Sequence, residues 1–185
     1  MGLENVAVVW PRIGDQYQPA NPAGFADFHG IAEATAGVSG AAAALADAVA
    51  KTATVPATPY TGLVDLLLGL DGVLYATEAA AEDEDPVIDP DGCAWIAGGL
   101  ERFVAGHEAY GERVEFASVG AVMRAALADG RLAEQQLRWL DARLDALRDA
   151  DGRPPQWSFA RTELAVLARF YRHCATTGHA VYAAA

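Results

Sequence analysis

Apolar positions along the chain follow two different periods, and the places where the period changes divide it into elements. Residues 5–10 are β-branched and aromatic and are closed by Pro11, which predicts a first strand. No period survives over residues 11–40, where Pro19 and Pro22 interrupt the chain, so this stretch reads as a long irregular loop. An alanine-rich run over 41–51 then predicts a helix, with Ser39 placed to cap it. Pro56 and Pro59 break the chain again. Leu63, Leu66, Leu67, Leu70 and Leu74 recur at helical spacing, although Gly69 and Gly72 weaken that helix. An acidic, proline-broken loop over 79–92 comes next. Asp91 is placed to cap a helix over 93–106 that buries Ile96, Leu100, Phe103 and Val104.

The second half is patterned more regularly. Residues 113–117 alternate as a short strand, and Ser118 can cap a helix carrying Val119, Val122, Met123 and Ala126. Leu137, Leu140, Leu144 and Leu147 form an amphipathic stripe, supported by Glu134 and Arg138 at i, i+4 on the outer face. A last helix over 158–177 carries two apolar stripes, Leu164, Leu167, Tyr171, Cys174 and Phe159, Val166, Phe170. A helix apolar on two sides belongs at the centre of a fold. Gly178 suits a helix C-terminus, and residues 179–182 read as a closing strand. The class expected is α+β, a helix-dominated single domain over 1–185. Its small sheet would be built from short N-terminal, central and C-terminal strands.

The chain ends with Leu167-Ala168-Arg169-Phe170-Tyr171-Arg172 and then Gly178-His179-Ala180-Val181. Before that come a strand ending at Ser118, two helices and a loop bearing Trp157. An earlier Asp91-Gly92-Cys93-Ala94-Trp95 leads into an apolar helix. Over about the last 95 residues this pattern resembles the YfbM-like family of uncharacterised bacterial domains. The first 60 residues depart from that family's pattern. The resemblance implies an α+β fold and no established chemistry; by analogy with other small acidic bacterial domains it implies an immunity or antitoxin-type role.

Charge changes the picture more than composition does. The net charge is −12, and residues 1–100 hold 14 acids against Arg12 and Lys51 alone. Residues 101–185 hold 11 acids and 11 arginines, so the whole excess lies in the first half. Nucleic acid and anionic lipid both require a basic footprint, so neither is expected as a partner. A concentrated acidic surface fits a basic protein partner, with Glu82, Asp83, Glu84, Asp85, Asp89 and Asp91 as the candidate contact residues. A solvated loop that merely aids solubility is the plainer alternative. No basic segment precedes a long apolar core at the N-terminus, and the most apolar stretch, residues 62–75, carries Asp65 and Asp71. A cytoplasmic protein without a membrane span is therefore expected.

Candidate chemistry is sparse. Asp89-Pro90-Asp91-Gly92 supplies half a calcium loop, but Val87 and Gly98 occupy the first and last ligand positions. His173, Cys174 and His179 bring two imidazoles and a thiol together, yet their positions on apolar stripes favour packing over zinc. Neither a metal nor a cofactor is expected. Cys93 follows a turn and precedes a helix, where a thiol can be activated, which makes it the best nucleophile candidate. His107 or His29 would be its base. Under the rival reading, an enzyme or ligand-binding domain, a pocket beside the 11–40 loop would be lined by Tyr17, Phe25, Phe28 and His29. On balance the expectation leans towards a protein without catalysis.

Overall fold

Short apolar strands at the two ends of the chain find each other in the computed structural model, which describes residues 4–56, 87–111 and 157–184. Strand β1 (Glu4–Val9) runs antiparallel to β4 (His179–Ala184), with Val6 opposite Tyr182 and Ala7 opposite Val181. Two shorter strands flank this pair, β2 (Thr54–Pro56) against β1 and β3 (Val87–Ile88) against β4. The sheet order is β2-β1-β4-β3, antiparallel throughout. Among the described residues four helices accompany it: α1 (Phe28–Thr35), α2 (Gly40–Thr52), α3 (Pro90–Gly111) and α4 (Trp157–Thr177). The fold is α+β and helix-dominated. No described helix is long and apolar enough to cross a membrane.

Alternation along the strands divides the sheet into two faces. Ala7, Val55, Ile88 and Val181 point into the core shared with the helices. On α2 the buried positions Ala42, Leu45, Ala46 and Val49 recur at helical spacing, with Ser39 capping the helix by accepting a bond from the Ala42 amide at 3.2 Å. Buried on several sides, α4 places Leu164, Leu167, Phe170, Tyr171 and Cys174 in the core, and packs most extensively against α3. Where those two helices meet at the surface, Arg172 donates two hydrogen bonds to the Glu101 carboxylate, at 3.0 and 2.7 Å.

The region expected to be irregular carries more structure than its composition predicts. A 3₁₀ turn (Pro22–Phe25) and helix α1 occupy part of residues 11–40, and Phe25 and Phe28 both reach the core. The segment before them returns along β1. The Val9 amide donates to Gln18 O and the Ala20 amide to Ala7 O, both at 2.8 Å. It thus takes over the side of β1 that β2 occupies only as far as Val6. Tyr17 stacks on Tyr182 at 5.9 Å and on Trp10 at 6.5 Å, on the sheet face away from the core; the Trp10–Pro11 peptide bond is cis.

Several boundaries move from those expected. Pro56 ends a strand rather than merely breaking the chain, and β3 lies inside the expected acidic loop. Helix α3 begins at Pro90, capped by Asp89 and not Asp91: the Gly92 amide donates to Asp89 Oδ1 at 2.7 Å. Trp157 is the first residue of α4 instead of part of the preceding loop. The expected helix over 61–75, the strand over 113–117, the helix after Ser118 and the leucine stripe at 137–147 lie outside the described residues.

Gly178 closes α4 with φ +72°, the left-handed conformation that glycine alone adopts without penalty. Gly178→Ala is expected to lower stability by about 1 kcal/mol, although open space surrounds the position. Gly30→Ala, within α1 and equally unobstructed, is expected to raise it by about 0.5–1 kcal/mol. Thermal denaturation of the two variants beside wild type checks both signs.

Candidate functional site

The start of α3 gathers three of the residues singled out in the sequence. Asp89 accepts from the Gly92 amide through its side chain and from the Cys93 amide through its carbonyl, at 2.9 Å. A Cβ at Gly92 would lie 2.9 Å from Ile88 Cγ2 and 3.2 Å from Asp89 Oδ1, so the closeness of the cap demands glycine. Asp91 stands in the first turn, where the helix dipole favours a carboxylate. Both acids thus contribute to starting the helix, and both remain exposed. Glu82, Asp83, Glu84 and Asp85 lie outside the described residues.

From this start α3 divides lengthwise. Cys93, Ile96, Ala97 and Leu100 are buried against the core. Asp91 and Trp95, one helical turn apart, lie on the other side, and Trp95 is 51% exposed. An indole left in water beside a carboxylate is unusual within a helix whose opposite side is fully buried. Periodicity alone could have found it: position 95 falls off the 93, 96, 100 stripe.

The nucleophile reading fails on geometry. Cys93 is fully buried, its thiol donates to Ile88 O at 3.6 Å, and burial, with Asp89 adding to it, pushes its pKa up to about 12. A thiol held in that state is inert rather than activated. His107 is on the same helix fourteen residues later, which puts its backbone about 21 Å along the axis from that of Cys93. Its side chain lies outside the described positions. His29 is exposed on α1 and faces Asp47 of α2, with Nδ1 to Oδ1 at 3.7 Å; Lys51 pairs with the same carboxylate at 2.6 Å. Among the described side chains, neither candidate base is brought to Cys93.

The pocket imagined beside the 11–40 segment is not formed by the rings proposed for it. Phe25 and Phe28 are core residues, and Tyr17 lies on the other face of the sheet. Phe25 packs against the His173 ring at 4.5 Å and the His179 ring at 5.9 Å. His173 Nε2 is buried without a hydrogen-bond partner, and His179 Nδ1 lies 2.7 Å from Thr177 Oγ1. Burial, reinforced by His173, lowers the pKa of His179. The Cys174 thiol is raised by burial and by Cys93. These imidazoles are aromatic packing surfaces. Among the described residues no group of three His, Cys, Asp or Glu is placed to hold a metal ion.

One titratable group escaped the sequence reading. Glu163, on α4, is 5% exposed, and burial raises its pKa from 4.5 to about 7. It continues the Leu167, Phe170, Cys174 side of α4 towards the N-terminus, and only a count of helical turns from Leu167 would have exposed it.

No family model, curated protein or solved structure matches the chain.

Two predictions follow from the burial of these groups. Both thiols are expected to resist a disulfide reagent in the native protein at pH 8 and to react on unfolding, as a thiol count with and without denaturant measures. Between pH 4.5 and about 7 the folded chain keeps the Glu163 proton that the unfolded chain releases. Stability is therefore expected to fall as pH rises through that window, by on the order of 3 kcal/mol, and to level off above it. Glu163→Gln is expected to remove most of that slope in denaturant titrations at pH 4.5, 6 and 8.

Proposed function

We propose that this protein is a non-catalytic binding module that meets a basic protein partner through its acidic N-terminal half, in the manner of an immunity or antitoxin-type protein. The observation that carries the reading is Trp95, half in solvent one turn after Asp91 at the start of a helix whose opposite side, Cys93, Ile96, Ala97 and Leu100, is buried. Tryptophan is the residue type most enriched among the energetic centres of protein interfaces, and it contributes most where it enters a pocket of the partner. The carboxylates around it supply the complementary charge. With all of the net −12 carried by residues 1–100, a basic partner would be drawn to this half before contact. The burial of Cys93, which raises its thiol pKa, supports a role without a cysteine nucleophile.

The mechanism is steering followed by occlusion: charge speeds the encounter, and the indole and surrounding backbone then exclude water at the contact. Association is expected to slow steeply with added salt, whereas dissociation changes little. The experiment is affinity capture from the host lysate at low and moderate salt. Wild type is compared with Trp95→Ala and with a variant carrying Asp83→Asn, Glu84→Gln and Asp85→Asn. A basic protein held by wild type is expected to be lost by both variants, with Trp95→Ala weakening the purified complex about 30-fold or more. Equal retention by all three proteins overturns the reading.

A further inference from the structure

A groove of about 430 Å³ runs between α1 and α4, apart from the start of α3. Its volume falls in the range of small-molecule sites, roughly 300–1,000 Å³. Gly30, Ile31 and Ala34 form one wall and Ala165 and Val166 the other, so its middle is aliphatic and lined mostly by small residues. Thr35 and Thr162 line the far end, and the Thr35 hydroxyl is engaged with Ile31 O at 2.8 Å.

The near end is different. The Phe28 ring meets the His173 ring at 5.9 Å, so the start of α1 lies beside the last turns of α4. Asp27 precedes Phe28 and Arg169 lies one turn before His173, which brings one carboxylate and one guanidinium to the same end of the groove. Both are exposed, and neither takes part in any of the ion pairs or side-chain hydrogen bonds among the described residues. Opposite charges that line one cavity without pairing with each other are free to pair with a ligand.

We propose that this groove binds a small aliphatic zwitterion, an α-amino acid of the leucine type. Its carboxylate meets the Arg169 guanidinium, which presents two parallel donors suited to it. Its ammonium meets Asp27, and its side chain runs along Ile31 and Val166 towards Ala34. A plain anion is disfavoured by Asp27 and by the net charge of −12, and a plain cation by Arg169. A zwitterion satisfies both charges at once. The site does not depend on the proposed partner surface and can stand if that reading fails.

Calorimetric titration of the whole chain with L-leucine tests this, beside leucinamide, which lacks the carboxylate, and 4-methylpentanoate, which lacks the ammonium. Leucine is expected to bind saturably at millimolar concentration or below, and each analogue about tenfold more weakly or worse. Arg169→Gln is expected to erase the preference for leucine over leucinamide, and Asp27→Asn the preference over 4-methylpentanoate. Ala165→Leu fills the groove and is expected to abolish binding. Should Ala165→Leu lower the Tm, the two charge variants, both at exposed positions, decide alone. No saturable binding of leucine to wild type, or binding unchanged in Arg169→Gln and Asp27→Asn, overturns the proposal.

Discussion

A helix that must hide more than one of its sides imposes the arrangement of everything around it, and α4 is that helix. Leu164, Leu167, Phe170, Tyr171 and Cys174 are all within the core, so no single neighbour could cover them. On one side α3 packs along it, and on another α2 brings Leu45 and Val49. Phe25 fills the remaining angle near its C-terminus, in contact with Phe170, His173 and His179. Each of these aromatic contacts adds roughly 0.5–1.5 kcal/mol beyond the area buried. The 3₁₀ turn and α1 are held against the body of the fold through this ring and through Phe28. A segment without its own hydrophobic period is thereby ordered by two phenylalanines.

Elements that bury one regular stripe were legible in the sequence, because burial imposes a period that composition cannot hide. The expected helix over 41–51 is α2, Ser39 caps it as anticipated, and the two-sided pattern of 158–177 is α4. The closing glycine and strand follow in register. Elements whose stability comes from the rest of the fold were not legible. Helix α1 holds eight residues with Gly30 among them, too short to form on propensity alone. The end of α2 was placed within one residue, but not its cap, because Ala53 rather than glycine takes the left-handed conformation there, at φ 53°. What holds it is the bond from its amide to Val49 O and that from the Ala7 amide to its carbonyl, both at 2.9 Å. Strands β2 and β3 are three and two residues long, below the length at which alternation can be read.

The candidate site was legible only in part, and for a related reason. Asp89 and Asp91 were singled out as acids, but their roles in starting α3 depend on where that helix begins, three residues earlier than expected. Cys93 was singled out by its place after a turn, but three residues before Ile96 it falls on the buried stripe. Burial on that stripe turns a candidate nucleophile into an inert thiol. Trp95 moves the opposite way, from one aromatic among four to a side chain in water. A pocket beside residues 11–40 was expected, but the lining of the groove between α1 and α4 was not legible, because one of its two walls is the helix the sequence did not announce.

The way β1 is paired has a bearing on how the protein behaves in a crowded solution. An unpaired strand edge is a template onto which another chain can add, and six residues suffice to start such growth. Here the longest strands, β1 and β4, are interior, and the part of β1 that β2 leaves open is occupied by Gln18 and Ala20. The outermost strands of the described sheet offer three residues at one side, ending in Pro56, and two at the other. A proline has no amide hydrogen to donate. The returning segment after β1 thus acts as a guard against self-association, and a chain that lost it would expose an aggregation-prone edge while keeping its helical core.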